Sequence, residues 1–137
     1  MKIVSACLCG INCNYRGESA PNQAVIDLVK AGKAIPVCPE QLGGLPTPRD
    51  GAELTGNTVF TKNGKDVTVE FVKGAEEGFK IAKLCGCEEA ILKAKPPSCG
   101  CGQIYDGTFS NKLIAGDGLF TKLLKQNGIK VVTEKDI

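Results

Sequence analysis

The chain of 137 residues carries 17 lysines and arginines against 15 acids, a formal charge of +2, with 42% apolar residues, eight cysteines and no histidine. A charge this mild makes no strong case for nucleic acid or an anionic membrane face, and no apolar run approaches the roughly 20 residues that cross a bilayer. The missing histidine excludes Ser-His and Cys-His nucleophilic machinery and histidine zinc sites, leaving carboxylates, lysines, tyrosines and cysteines for any acid–base work.

Lys2–Ala6 predicts a first strand that runs into a long loop, Cys7–Ala20, bent at Gly10 and Gly17. Val4-Ser5-Ala6-Cys7 imitates a lipoprotein cleavage box, but its apolar stretch is far shorter than a signal peptide's, so a cytoplasmic protein is expected. Pro21 suits the first turn of a helix in which Ala24, Val25, Leu28 and Val29 form an apolar stripe, with Gly32 as its left-handed stop. A second strand, Ala34–Val37, enters Cys38–Arg49, where two adjacent glycines and three prolines predict a rigid loop without regular structure. From Ala52 to Lys65 the pattern predicts a small hairpin turning at Asn63-Gly64. Asp66 or Thr68 caps a following helix, whose apolar face includes Val69, Val72, Ala75, Phe79 and Ala82.

A third strand, Glu89–Lys93, gives way to the loop Ala94–Gly102. The stretch Gln103–Ser110, with Asp106-Gly107 at its centre, reads as a tight hairpin. A last helix, about Gly118 to Asn127, is stopped by Gly128, and Ile129–Val132 is the fourth strand. The alternation predicts an α/β fold: residues 1–137 as a single domain, with a parallel, Rossmann-like or flavodoxin-like sheet of about four strands flanked by helices and carrying small hairpin insertions.

Three strands thus each lead to a loop cysteine: Cys7, Cys38 and Cys99. Open α/β sheets bind ligands at the carboxyl ends of their strands, so three sulfur donors converge on one pocket, as a metal or iron–sulfur site with one open position requires. Structural zinc would draw on C-x2-C pairs, and none occurs. Cys9, Cys13 and Cys101 lie nearby, as additional ligands or resolving thiols. Cys85 and Cys87 precede the third strand and belong to the opposite edge of the sheet. Glu40, two residues past Cys38, is the candidate acid–base group, against a role in capping loop amides. Ser98 beside Cys99 is either a hydrogen-bond donor to the site or a turn former. Arg16 and Arg49 are the only arginines; each is a loop ion pair or a bidentate substrate contact.

The ordered blocks Cys7-Leu8-Cys9-Gly10, Asn14-Tyr15-Arg16-Gly17, Val37-Cys38-Pro39-Glu40, Pro48-Arg49, Gly64-Lys65-Asp66-Val67-Thr68, Pro97-Ser98-Cys99-Gly100 and Ile104-Tyr105-Asp106-Gly107-Thr108-Phe109 resemble the DUF523 family, the domain of thiouracil desulfidase enzymes. The resemblance implies a [4Fe–4S] cluster held by Cys7, Cys38 and Cys99, its fourth iron free for the sulfur of a small thiolated nucleobase-like substrate such as 2-thiouracil. It implies a non-redox reaction in which water replaces sulfur and hydrosulfide leaves. Glu40 and Ser98 are then catalytic, and Arg16, Arg49 and Tyr105 bind substrate. The chain departs from the family where Pro96 stands in place of a common serine and where Cys9 and Cys101 replace residues that are usually not cysteine. Two other classes use the same thiols: a non-catalytic iron–sulfur or zinc protein that carries or senses sulfur, and a thiol redox protein built on Cys7/Cys9 or Cys99/Cys101.

Overall fold

A computed structural model describes residues 1–137. In chain order its elements are β1 (Lys2–Ser5), α1 (Gln23–Lys30), β2 (Ala34–Val37), α2 (Pro39–Leu42), β3 (Ala52–Thr55), β4 (Thr58–Thr61), α3 (Thr68–Leu84), β5 (Glu89–Leu92), β6 (Gln103–Tyr105), β7 (Leu113–Ala115), α4 (Leu119–Gln126) and β8 (Lys130–Thr133). Four strands pair in parallel in the order β2-β1-β5-β8, with Ile3 opposite Ile35 and Ala90, and Ala90 opposite Val131. All four carboxyl ends therefore lie along one edge. The chain steps from β1 outward to β2 and then back across to β5, so β1 and β5 bound the switch point where such sheets open a crevice.

Period-two alternation divides the buried side chains between two faces. Ile3, Ala90, Leu92 and Val131 pack with Ala75, Ala82, Phe120 and Leu124 of α3 and α4. Val4, Ile91 and Ala34 face Val25 of α1 and Leu8. Phe120 and Leu124 are fully buried, each contributing about 1.5–3 kcal/mol of apolar transfer. Of the α1 stripe, Val25, Leu28 and Val29 pack inward while Ala24 is exposed; Asn22 caps the first turn, which leaves Pro21 just outside the helix, and Gly32 follows in the left-handed region at φ 71°. No helix is long and apolar enough to cross a membrane.

Five local expectations are corrected. Neither Asp66 nor Thr68 caps α3: the cap position is Val67, which makes no side-chain cap bond, and Thr68 is already helical. The loop after Cys38 contains the one-turn helix α2, with Pro39 at its start and Glu40 in its only turn. The first hairpin turns at Gly56-Asn57 between β3 and β4, while Asn63-Gly64 makes a later turn closed by Thr61 and Lys65. Asp106-Gly107 is not a two-residue hairpin turn: β6 pairs with β7 and residues 106–112 connect them. On α3, Val69 and Val72 are exposed, and the buried face is Phe71, Gly74, Ala75, Gly78 and Ala82. Small residues win there because α2 and α4 approach α3 closely. A methyl group on Gly74 would overlap the Pro39 carbonyl oxygen, and one on Gly78 would stand 2.8 Å from the Phe120 ring.

Candidate functional site

Beyond β1 the chain turns through a 3₁₀ segment, Ala6–Cys9, which carries Cys7. Cys38 is the cap residue of α2. Cys99 lies in the loop after β5, and that loop is fastened at both ends. Ser5 Oγ, from β1, accepts the Lys93 N–H at 2.9 Å. On the other side the first amides of α4 find their partners in the loop: Leu119 N–H donates to Pro97 O at 2.8 Å and Phe120 N–H to Ser98 O at 3.0 Å. Thr121 Oγ1 donates to Cys99 O at 3.0 Å. Gly118 permits this approach, since a Cβ there would overlap the Ser98 carbonyl.

Cys7, Cys38 and Cys99 line one cavity of about 650 Å³, together with Cys13, Glu40, Arg49, Ser98, Arg16 and Tyr105. Glu40 is the hub. Its Oε1 accepts Arg49 Nε–H at 3.0 Å, and its Oε2 accepts Ser98 Oγ–H at 2.7 Å. Arg49 is 7% exposed at its side chain and Glu40 13%, so the pair is largely shielded from water. The guanidinium is occupied further by Cys13 O at 2.9 Å, Thr47 Oγ1 at 3.0 Å and Pro46 O at 3.2 Å. Of the two alternatives for Arg49, this geometry is the ion pair, with the guanidinium organising the loop. Arg16 stays exposed; its Nε donates to Tyr15 Oη at 2.9 Å and its guanidinium lies 5.3 Å from that ring's centre.

The thiols perturb one another. Burial pushes Cys7 up to about 11, helped by the nearby Cys38 sulfur and opposed by Lys93. Burial also raises Cys99. Cys38 is instead brought down to about 7, chiefly because the Cys13 thiol donates to it and secondarily through the Gln41 amide; Cys13 rises in consequence. Buried sulfurs that repel each other as thiolates are poor stand-alone anions, and a multiply charged cationic group is the partner that reverses this balance. No three His, Cys, Asp or Glu side chains are grouped as a single metal ion needs. Cys7, Cys13, Cys38 and Cys99 are the thiols of this cavity, and the three at strand ends, Cys7, Cys38 and Cys99, are the ones that could hold a metal group.

The remaining cysteines separate cleanly. All eight are free. Cys9 packs on the α1 face, with its sulfur 4.0 Å from Ser5 O. Cys101 packs against the opposite core, 3.7 Å from Val131 O. Cys87 is buried beside Ala82 and Ala90, at the amino-terminal side of β5, with Cys85 packed on that core. None of the four lines the cavity. Ser5, Cys13, Lys93 and Glu53 do line it. Ser5 could have been found as the last residue of a strand ending at the site. Glu53 offered one signal, a charge set between the apolar Ala52 and Leu54 of a short strand, on the face opposite theirs.

The chain is similar along its length to known proteins. The family model described as 2-thiouracil desulfurase matches residues 3–136. The uncharacterized protein YbbK of Bacillus subtilis (strain 168) is 42% identical over 147 aligned positions, covering 100% of this chain and 97% of its own length. A solved structure, the [4Fe-4S]-dependent thiouracil desulfidase TudS (DUF523Vcz), superposes with a TM-score of 0.94 at 44% identity, covering 98% of this chain and 91% of that one. By its sequence along nearly its whole length, and with the fold that sequence adopts, the chain belongs to the 2-thiouracil desulfurase family.

Proposed function

We propose that this protein is a [4Fe–4S]-dependent desulfidase acting on a thiolated pyrimidine such as 2-thiouracil, with Cys7, Cys38 and Cys99 as the cluster ligands. The observation that carries the reading is the hydrogen bond from Ser98 to Glu40, formed by residues 58 apart in sequence at the wall of the cavity the three thiols share. The family match and the likeness to TudS support it. When bound, the cluster supplies a soft Lewis-acidic iron for the sulfur of the substrate.

The protein's own groups supply the rest. Arg49 holds Glu40 against the cavity wall, and Ser98 Oγ orients the facing oxygen, Oε2. A water held by these two groups attacks the ring carbon that bears sulfur, and Oε2 takes its proton as general base. The ring gains a carbonyl, the carbon–sulfur bond breaks, and sulfur leaves as hydrosulfide; no electrons are transferred. Arg16 and Tyr105, at the cavity wall, contact the substrate ring. Eight unpaired cysteines suit a reducing compartment, and we place the reaction in the cytoplasm.

The test is iron and acid-labile sulfide content after oxygen-free reconstitution, followed by conversion of 2-thiouracil to uracil. About four irons per chain and turnover are expected. A protein that takes up no iron overturns the reading.

A further inference from the structure

Glu53 lies on β3 but is only 9% exposed. One of its oxygens, Oε1, accepts the Gly107 N–H at 3.0 Å and the Phe109 N–H at 3.1 Å. Both amides belong to the connection between β6 and β7, which is held in an uncommon backbone. Phe109 has φ 57° and Asn111 φ 62°, left-handed values that cost a residue with a side chain. Gly107 lies flat on β3, and a Cβ there would overlap Thr55 Oγ1. Glu53, Tyr105, Phe109 and Asn111 all line the cavity that contains Cys7, Cys38 and Cys99. A carboxylate taken out of water is costly unless hydrogen-bonded, and here its bonds are spent on the backbone of the cavity's own wall.

We propose that Glu53 is a positioning residue for substrate recognition, fixing the 105–111 segment so that Tyr105, Phe109 and Asn111 form the wall on which the flat heterocycle lies. The assignment rests on the desulfidase reading above. Aromatic side chains offer faces or edges to a planar ring, and an asparagine amide can both donate to a ring carbonyl and accept from a ring N–H. Glu53 acts through an oxygen acceptor and not through its charge. Glutamine keeps that acceptor; alanine removes it.

The test compares reconstituted wild type, Glu53→Ala, Glu53→Gln and Gly107→Ala. Each is assayed for iron content, for KM and kcat with 2-thiouracil, and for calorimetric binding of uracil as the unreactive ring. Glu53→Ala and Gly107→Ala are expected to keep their iron and to raise both KM and the uracil Kd by about tenfold. Glu53→Gln is expected to match wild type, which also keeps the test decisive if the alanine variant folds poorly. A wild-type KM in Glu53→Ala overturns the proposal. So does a Glu53→Gln variant as impaired as Glu53→Ala, which would assign the charge, or iron loss in both Glu53→Ala and Gly107→Ala. If wild type binds uracil but never converts 2-thiouracil, the desulfidase reading fails by itself. The uracil titration then decides the wall: weaker binding in Glu53→Ala, restored in Glu53→Gln, supports it, and equal binding overturns it. Failure of wild type both to convert 2-thiouracil and to bind uracil overturns both.

Discussion

Gly74 sits in the middle of α3, and replacing it by alanine separates the stability of the fold from the geometry of the site. A methyl group there would overlap Pro39 O and stand 2.8 Å from Pro39 C, about 1 Å inside the carbon–carbon optimum of ~3.5–4.0 Å. The obstacle is backbone, so α2 must withdraw by a comparable distance. Stability falls only in part, because the helix-propensity gain of ~1 kcal/mol opposes an overpacking cost of ~1–3 kcal/mol. At most a ~2 kcal/mol loss follows, a melting point lower by roughly 10 °C or less. The site is less forgiving. Withdrawal of α2 carries Glu40 away from Ser98, now 2.7 Å apart, and a misplacement of about 1 Å can cost ~100-fold in rate. The assay is the initial rate of uracil formation beside a thermal melt, with Gly78→Ala as control. That methyl would meet the Phe120 ring and not α2, so its melt falls while turnover stays near wild type. A Gly74→Ala protein within about threefold of wild-type turnover would refute the reasoning, since a 1 Å shift is expected to cost far more.

Other outcomes follow from the same geometry. Cys38→Ser should abolish cluster retention, whereas Cys85→Ser, on the far side of the sheet, should leave iron content unchanged; equal iron in both would remove Cys38 from the ligand set. Glu40→Gln should keep its cluster and lose turnover, checked by iron content and product formation. In cluster-free protein, Cys38 gains thiolate, and with it nucleophilicity, as pH rises through about 7, while Cys7 does so only near 11. Alkylation followed by peptide mass spectrometry should label Cys38 before Cys7 at neutral pH, and Cys13→Ala should delay Cys38 labelling to higher pH by removing its donor. Labelling of Cys7 first would contradict the assignment.

The parts of this fold legible in the sequence are those set by local pattern. Short apolar stretches located β1, β2, β5 and β8 to within a residue or so, and the strand-to-loop transitions put Cys7, Cys38 and Cys99 around one cavity. The parts that were not legible depend on contacts between distant segments. One turn of helix is unstable alone, and α2 exists because Gly43 and Gly74 let it lie against α3. Val69 and Val72 looked like core because hydropathy cannot show that the buried face is reserved for glycine and alanine. Asp106-Gly107 carries the composition of a hairpin turn, but Gly107 serves instead to lie against Thr55 and give its amide to Glu53. Of the candidate site, Glu40 and Ser98 could be named singly; their hydrogen bond, and the engagement of Arg49 by Cys13 O and Thr47, required the fold.

The amides that open α4 are bonded to carbonyls of the Cys99 loop, which makes that loop part of a helix terminus as well as part of the cavity. Many small metalloproteins acquire their shape only when the metal arrives. Here the backbone of the Cys99 loop is bonded to a helix that the apolar core secures through Phe120 and Leu124, so the shape of that wall is set by packing within the protein itself.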